Sequence, residues 1–155
     1  SSAKRDHFRG AHVGYIFQMF NLIPYLSVGE NISLPCQLNP IRRQRAERGE
    51  ADWLRQLSLG LGIDALLGKK VTELSVGQQQ RVAVARALAG HPELIIADEP
   101  TSALDLDRRK DFIQVLFAQA ERYETSILFV SHDHTLSDMF HRSIALPQIN
   151  RRSER

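Results

Sequence analysis

Leu94-Ile95-Ile96-Ala97-Asp98-Glu99-Pro100-Thr101 runs from an unbroken apolar segment straight into two carboxylates and a proline. A short apolar run closed by a turn signal reads as a buried strand. Adjacent carboxylates at the end of such a strand are costly unless they meet a cation or a reacting group. The carboxyl ends of strands are also where open α/β sheets bind their ligands. The chemistry that suits the pair is phosphoryl transfer, with Asp98 holding Mg²⁺, usually through water, and Glu99 polarising an attacking water.

Working outward, Asp107 to Glu121 sets Phe112, Val115, Leu116 and Gln119 on neighbouring turns, which predicts a helix. Ser126 to Val130 reads as a second buried strand, followed by a helix from about Thr135 and a last strand near Ile144. Upstream, His12 to Phe17 reads as a further strand running into a loop at Gln18. Strands alternating with helices predict parallel pairing through crossover connections. Ser131-His132-Asp133 closes the second strand, which sets His132 at the same sheet edge as Asp98 and Glu99. There it can hydrogen-bond a terminal phosphate or the attacking water.

Between Ser27 and Gly90 the pattern turns helical. Arg42 to Leu59 carries Trp53, Leu54 and Leu57 at helical spacing, and Ile63 to Leu67 continues it. The next helix has a legible start, since Ser75 with Gln78 fits a capping box, and a legible stop at Gly90 and Pro92. The plain role of Ser75 is that of an N-cap, yet a capped helix start also offers backbone N–H groups and positive dipole character to a phosphate. The whole reads as α/β with a helical insertion.

Composition narrows the class. The chain has 155 residues, 43% hydrophobic and 25% charged, which suits one globular domain with a real core and excludes disorder. Its only cysteine, Cys36, cannot form an internal disulfide, so a reducing compartment is expected. No apolar run approaches the roughly 20 residues of a membrane span, and Ser1 to Gly10 does not read as a signal segment. Any membrane link is therefore expected through a partner. The net charge of +2 does not imply nucleic acid, and the arginines at 42, 43 and 45 are expected on solvated helix faces.

Taken together, these pieces resemble the nucleotide-binding subunit of ATP-binding-cassette (ABC) transporters. Val13-Gly14-Tyr15-Ile16-Phe17-Gln18 resembles the family's Q-loop, Leu74 to Arg81 (LSVGQQQR) its signature motif, and Leu94 to Thr101 its Walker B motif. Ser102-Ala103-Leu104-Asp105 resembles its D-loop and Ser131-His132-Asp133 its H-loop, all in the family's order. Phe17 to Pro35 and Asn150-Arg151-Arg152 further resemble the lipoprotein-releasing and macrolide-export branch. The resemblance implies a P-loop NTPase (RecA-like) core over residues 1–26 and 91–155 and a helical subdomain over 27–90. It also implies a sandwich of two such subunits, identical or not, with two ATP molecules at the interface. Each nucleotide would meet Asp98, Glu99, Gln18 and His132 of one subunit and Ser75, Gly77 and Gln78 of the other. Asp105 would cross the interface and couple the two sites. Gln18 would add a Mg²⁺ or water contact and report nucleotide state to transmembrane permease subunits. The implied place is the cytoplasmic face of the cell membrane, held there by those subunits.

Two departures qualify the resemblance. The phosphate cradle GxxxxGK[S/T] has no match at Lys4, Lys69, Lys70 or Lys110, the only lysines. The domain is therefore expected to be truncated at its amino end and to expose an unpaired apolar sheet edge. A single preorganised donor to developing charge is worth about 2.7–4 kcal/mol, whereas millimolar-to-micromolar binding totals about 4–8 kcal/mol. The isolated chain is accordingly expected neither to bind nor to hydrolyse ATP. The second departure is Val76, where the family has glycine; a β-branched residue restricts close backbone approach. Other readings are a degenerate subunit that completes a partner's ATP site, and a DNA-maintenance ATPase of the SMC or Rad50 type. Against the latter, Gln18 and Ser75 are too close in sequence for a long coiled coil.

Overall fold

The computed structural model describes residues 2–49, 52–102 and 104–145. Among these residues three strands form a parallel sheet in the order β1 (Val13–Ile16), β2 (Leu94–Asp98), β3 (Ser126–Val130). The register pairs Ile16 with Ala97, Ala97 with Phe129, and Asp98 with Val130. The loops bearing Gln18, Glu99 and His132 thus leave the same edge of the sheet.

Among the described residues six helices accompany the strands: α1 (Ser2–His12), α2 (Val28–Leu38), α3 (Pro40–Gly49), α4 (Trp53–Gly60), α5 (Val76–Leu88) and α6 (Leu106–Arg122). The central helix is α5, in contact with both β1 and α2. This position explains why Val82, Val84, Ala85, Ala87 and Leu88 are all buried, leaving it no broad polar face. The approach of α5 to β1 requires Gly14, since a Cβ there would lie 2.3 Å from the Ala87 carbonyl oxygen. Where α5 ends, Gly90 takes φ +74°, and a Cβ would lie 2.6 Å from Arg42. One apolar core joins the sheet to the helices, including Ile16, Ile32, Leu61, Val84, Ile95 and Leu116.

Several expectations are corrected. β3 is not a buried strand: Leu128 is 52% exposed and Val130 39%. It bonds β2 on one side only, so among the described residues it is a sheet edge, the unpaired apolar edge that the resemblance implied. Around Ile144 the backbone is irregular and the side chain exposed, with no strand. The segment after Thr135 is a 3₁₀ turn, His134–Met139, capped by Asp133. Arg42 to Leu59 resolves into α3 and α4, and Ile63 to Leu67 into a short 3₁₀ turn.

The arginine cluster is not simply solvated either. Arg42 is 2% exposed and donates from Nη1 to the carbonyls of Ala87 (3.4 Å) and Ala89 (2.9 Å), satisfying the end of α5. Burial pulls its guanidinium down to about 10. Arg45 bonds Glu93 and the carbonyls of Ala11 and His91.

Candidate functional site

Three strand ends build the site. Directly after β2, Glu99 sits at φ +48°, a left-handed conformation uncommon outside glycine. Its backbone N–H bonds the Val130 carbonyl at 3.0 Å, which draws the loop after β2 toward the loop after β3. Its side-chain Oε1 accepts from the His132 backbone N–H at 3.0 Å and lies 2.8 Å from His132 Nδ1. A carboxylate only accepts, so this contact places the ring proton on Nδ1. A neutral ring then presents Nε2 outward as an acceptor, ready for a water. To donate to a phosphate oxygen through Nε2, the ring must carry both protons.

Asp98 ends β2 with an exposed side chain and in register with Val130. Gln18 is also exposed, two residues past Ile16, on a turn closed by the Phe20 N–H to Phe17 carbonyl bond. Phe20 and Asn21 both have positive φ. Arg86 of α5 satisfies that turn, donating to the Phe20 carbonyl and, at 2.7 Å, to the Asn21 carbonyl. The carboxyl edge therefore gathers Gln18, Asp98, Glu99 and His132.

Ser75 and its neighbours stand apart from that set. Ser75 and Gln78 form the reciprocal capping box that the sequence implies. The box occupies the Ser75 and Gln78 N–H groups, leaving those of Val76 and Gly77 as the free donors of the first turn. Ser75, Val76 and Gly77 are all exposed, and a Cβ at Gly77 would meet no atom within 4 Å. The packing of this chain does not require that glycine. The same residues line a 370 Å³ depression with Leu104, Arg108 and Phe112 that none of Gln18, Asp98, Glu99 or His132 borders. Asp105 caps α6 by accepting from the Arg108 N–H and forms an ion pair with the exposed Arg108 side chain.

Asp98 and Gln18 are oxygen donors of the kind that would suit a Mg²⁺ held largely by phosphate oxygens and water. Among the described residues no cluster of three or more His, Cys, Asp or Glu could cage a metal.

Sequence reasoning missed three positions. Arg86 bonds carbonyls remote in sequence, and the link from Arg109 to Asp133 is likewise remote, so no local pattern marks either role. Asp133 received no role of its own, although Oδ1 caps Thr135 and Oδ2 meets Arg109 at 2.7 Å. The Thr135 hydroxyl and backbone N–H, with Arg109 adding to them, hold its carboxyl below the usual range against the opposing effect of burial.

A parallel sheet with an acid–imidazole pair at its carboxyl edge, beside an outward-facing capped helix, is a P-loop NTPase cassette arrangement. The chain belongs to the ABC transporter family, whose model matches residues 1–102. It is 41% identical over 130 residues to the ABC transporter ATP-binding protein YxdL of Bacillus subtilis, covering 84% of this chain and 49% of that protein. Identity is 38% to the ABC transporter ATP-binding protein YbbA of Escherichia coli, with coverage of 92% and 60%. The lipoprotein-releasing system ATP-binding protein LolD of Cytophaga hutchinsonii matches at 35%, with coverage of 90% and 62%. That match agrees with the resemblance noted in Phe17 to Pro35. Among solved structures, the dimeric post-hydrolysis state of the ATP-binding cassette MJ0796 bound to ADP and Pi is similar at TM-score 0.66 and 33% identity. The match covers 88% of this chain and 59% of that one. The chain thus spans about half to three-fifths of these relatives' lengths.

Proposed function

We propose that this chain is the catalytic-edge portion of an ABC transporter motor subunit, coupling Mg-ATP hydrolysis to transport through transmembrane permease subunits at the cytoplasmic membrane face. The observation that carries this reading is the Glu99–His132 hydrogen-bonded pair on the sheet edge shared with Asp98 and Gln18. In this reading Glu99 Oε1 is committed to His132, and Oε2 accepts a proton from the attacking water. His132 Nε2 faces that water or, doubly protonated, the terminal phosphate. Mg²⁺ beside Asp98 and Gln18 neutralises phosphate charge when bound.

A second subunit, of the same or another sequence, supplies the Val76 and Gly77 N–H donors to the opposite nucleotide, with Asp105 crossing between sites. Supporting this is the exposure of the Ser75 helix end and the open space at Gly77. For the permease subunits, a 780 Å³ apolar depression lined by Tyr15, Phe17, Leu34, Leu38, Arg42 and Arg86 adjoins the Gln18 turn. The buried Arg42 keeps Nε and Nη2 without a partner among the described residues. No helix of the described residues is long and apolar enough to cross a membrane.

These 155 residues contain no phosphate-loop motif, and the chain assayed alone is proposed to show no Mg-ATP turnover. Fusing to its front a segment that carries a GxxxxGK[S/T] phosphate loop tests the reading. Turnover should appear, together with ATP-dependent dimers, and Glu99→Gln should reduce it at least 100-fold. A folded fusion that hydrolyses ATP equally well with Glu99→Gln would refute the assignment.

A further inference from the structure

We propose that Arg109 is a positioning residue that fastens the Glu99–His132 pair to the Leu104–Asp105 loop, so that one side chain sets both. The inference deepens the reading above and rests on it for the meaning of His132 and Asp105. Arg109 lies one turn past the Asp105 cap of α6. Its Nε donates back to the Leu104 carbonyl at 2.8 Å, while Nη1 reaches Asp133 Oδ2 at 2.7 Å. Asp133 follows His132 directly in the chain, and its other oxygen is occupied by Thr135. The guanidinium is 24% exposed and the carboxylate 17%, so both ends of this pair are better shielded than the His132 ring, at 78%.

The geometry forms a continuous path. Leu104 O, Arg109, Asp133, the adjoining His132 backbone and Glu99 Oε1 are joined by consecutive hydrogen bonds or a single peptide step. A planar guanidinium holds its donors at fixed angles, which a lysine ammonium does not. Any displacement of the Leu104–Asp105 loop is therefore transmitted to the loop that orients the imidazole. This supplies a physical link between the residue proposed to cross to a partner subunit and the imidazole proposed to act on the nucleotide.

The test uses the 155-residue chain and no nucleotide, so its outcome is separate from that of the ATPase assay. Nitrogen-15 NMR reads the His132 tautomer, and amide exchange reads the His132 N–H. With Arg109→Ala, the neutral ring should move from Nδ1–H toward the Nε2–H form, and His132 N–H exchange should rise at least tenfold. The Ile95 and Ile127 amides should be unaffected. Arg109→Lys should restore the tautomer only in part. Asp133→Asn, which keeps the Thr135 cap, should reproduce the Arg109→Ala change, and the double variant should be no worse than either single one. An unchanged His132 signature in Arg109→Ala overturns the proposal. If Arg109→Ala unfolds the chain, an unchanged signature in Asp133→Asn overturns it instead.

Discussion

Replacing Gly14 with alanine tests the packing that sets α5 against the sheet. The added Cβ would lie 2.3 Å from the Ala87 carbonyl oxygen and 2.9 Å from its carbon, whereas ordinary contact begins at 3.4 Å. Both neighbours are backbone atoms, so no rotamer change relieves them and α5 must retreat by roughly 1 Å. Overpacking of this kind costs about 1–3 kcal/mol. At about 2–4 °C per kcal/mol for a chain of this size, Tm should fall by about 2–12 °C. The control is the same chemical change at Gly77, where a Cβ meets nothing within 4 Å. There, alanine's better helix propensity should leave stability unchanged or raise it by up to about 1 kcal/mol. Urea unfolding followed by the fluorescence of Trp53, the only tryptophan, measures both variants. The reasoning fails if Gly14→Ala lies within about 0.5 kcal/mol of the parent, or if Gly77→Ala is the more damaging change.

Three further outcomes are expected. In a fusion that carries a phosphate loop, Val76→Gly should raise ATPase activity by freeing the first helical turn for close approach; no change or a decrease counts against the trans contact. Burial acts to raise the Glu93 carboxyl, but bonds from Arg45 and His12 outweigh it and hold the group below its ordinary value. This contribution is present above the unfolded Glu pKa and is lost as pH falls through the lower folded one. Glu93→Gln should therefore narrow the stability difference between pH 6 and pH 3.5, by less than about 1 kcal/mol for so exposed a pair; an unchanged difference refutes it. Cys36 is 4% exposed with its thiol pushed up to about 11, chiefly by burial. Labelling by a thiol-reactive disulfide at pH 8 should be at least about 100-fold slower in native buffer than in urea; equal rates would contradict that burial.

Local interactions are legible in the sequence. Ser75 and Gln78 close their capping box within a single turn, an interaction that needs no neighbour beyond the helix. The same Ser-x-x-Glu pattern at Ser27 and Glu30 is equally legible in the sequence and starts α2. The apolar run ending in Asp98 and Glu99 marked both a strand and its chemical end, because burial and charge change at one residue. Spacing likewise set His132 on the same edge, since parallel strands leave the sheet in one direction.

Tertiary structure decided what depends on partners distant in the chain. An apolar run such as Ser126–Val130 is compatible with a central strand or an edge, and only the pairing made β3 an edge. Arg42 looked like one more surface cation until the end of α5 drew it into the core, where carbonyls of Ala87 and Ala89 receive it. The Arg109–Asp133 pair joins α6 to the loop after β3, two elements that sequence spacing does not relate. The amino-acid order by itself determined the chemical types and the edge on which they gather, because periodicity and capping are local. How Glu99 and His132 are oriented, and what holds them so, was fixed only when strands and loops remote in sequence were brought within hydrogen-bond reach.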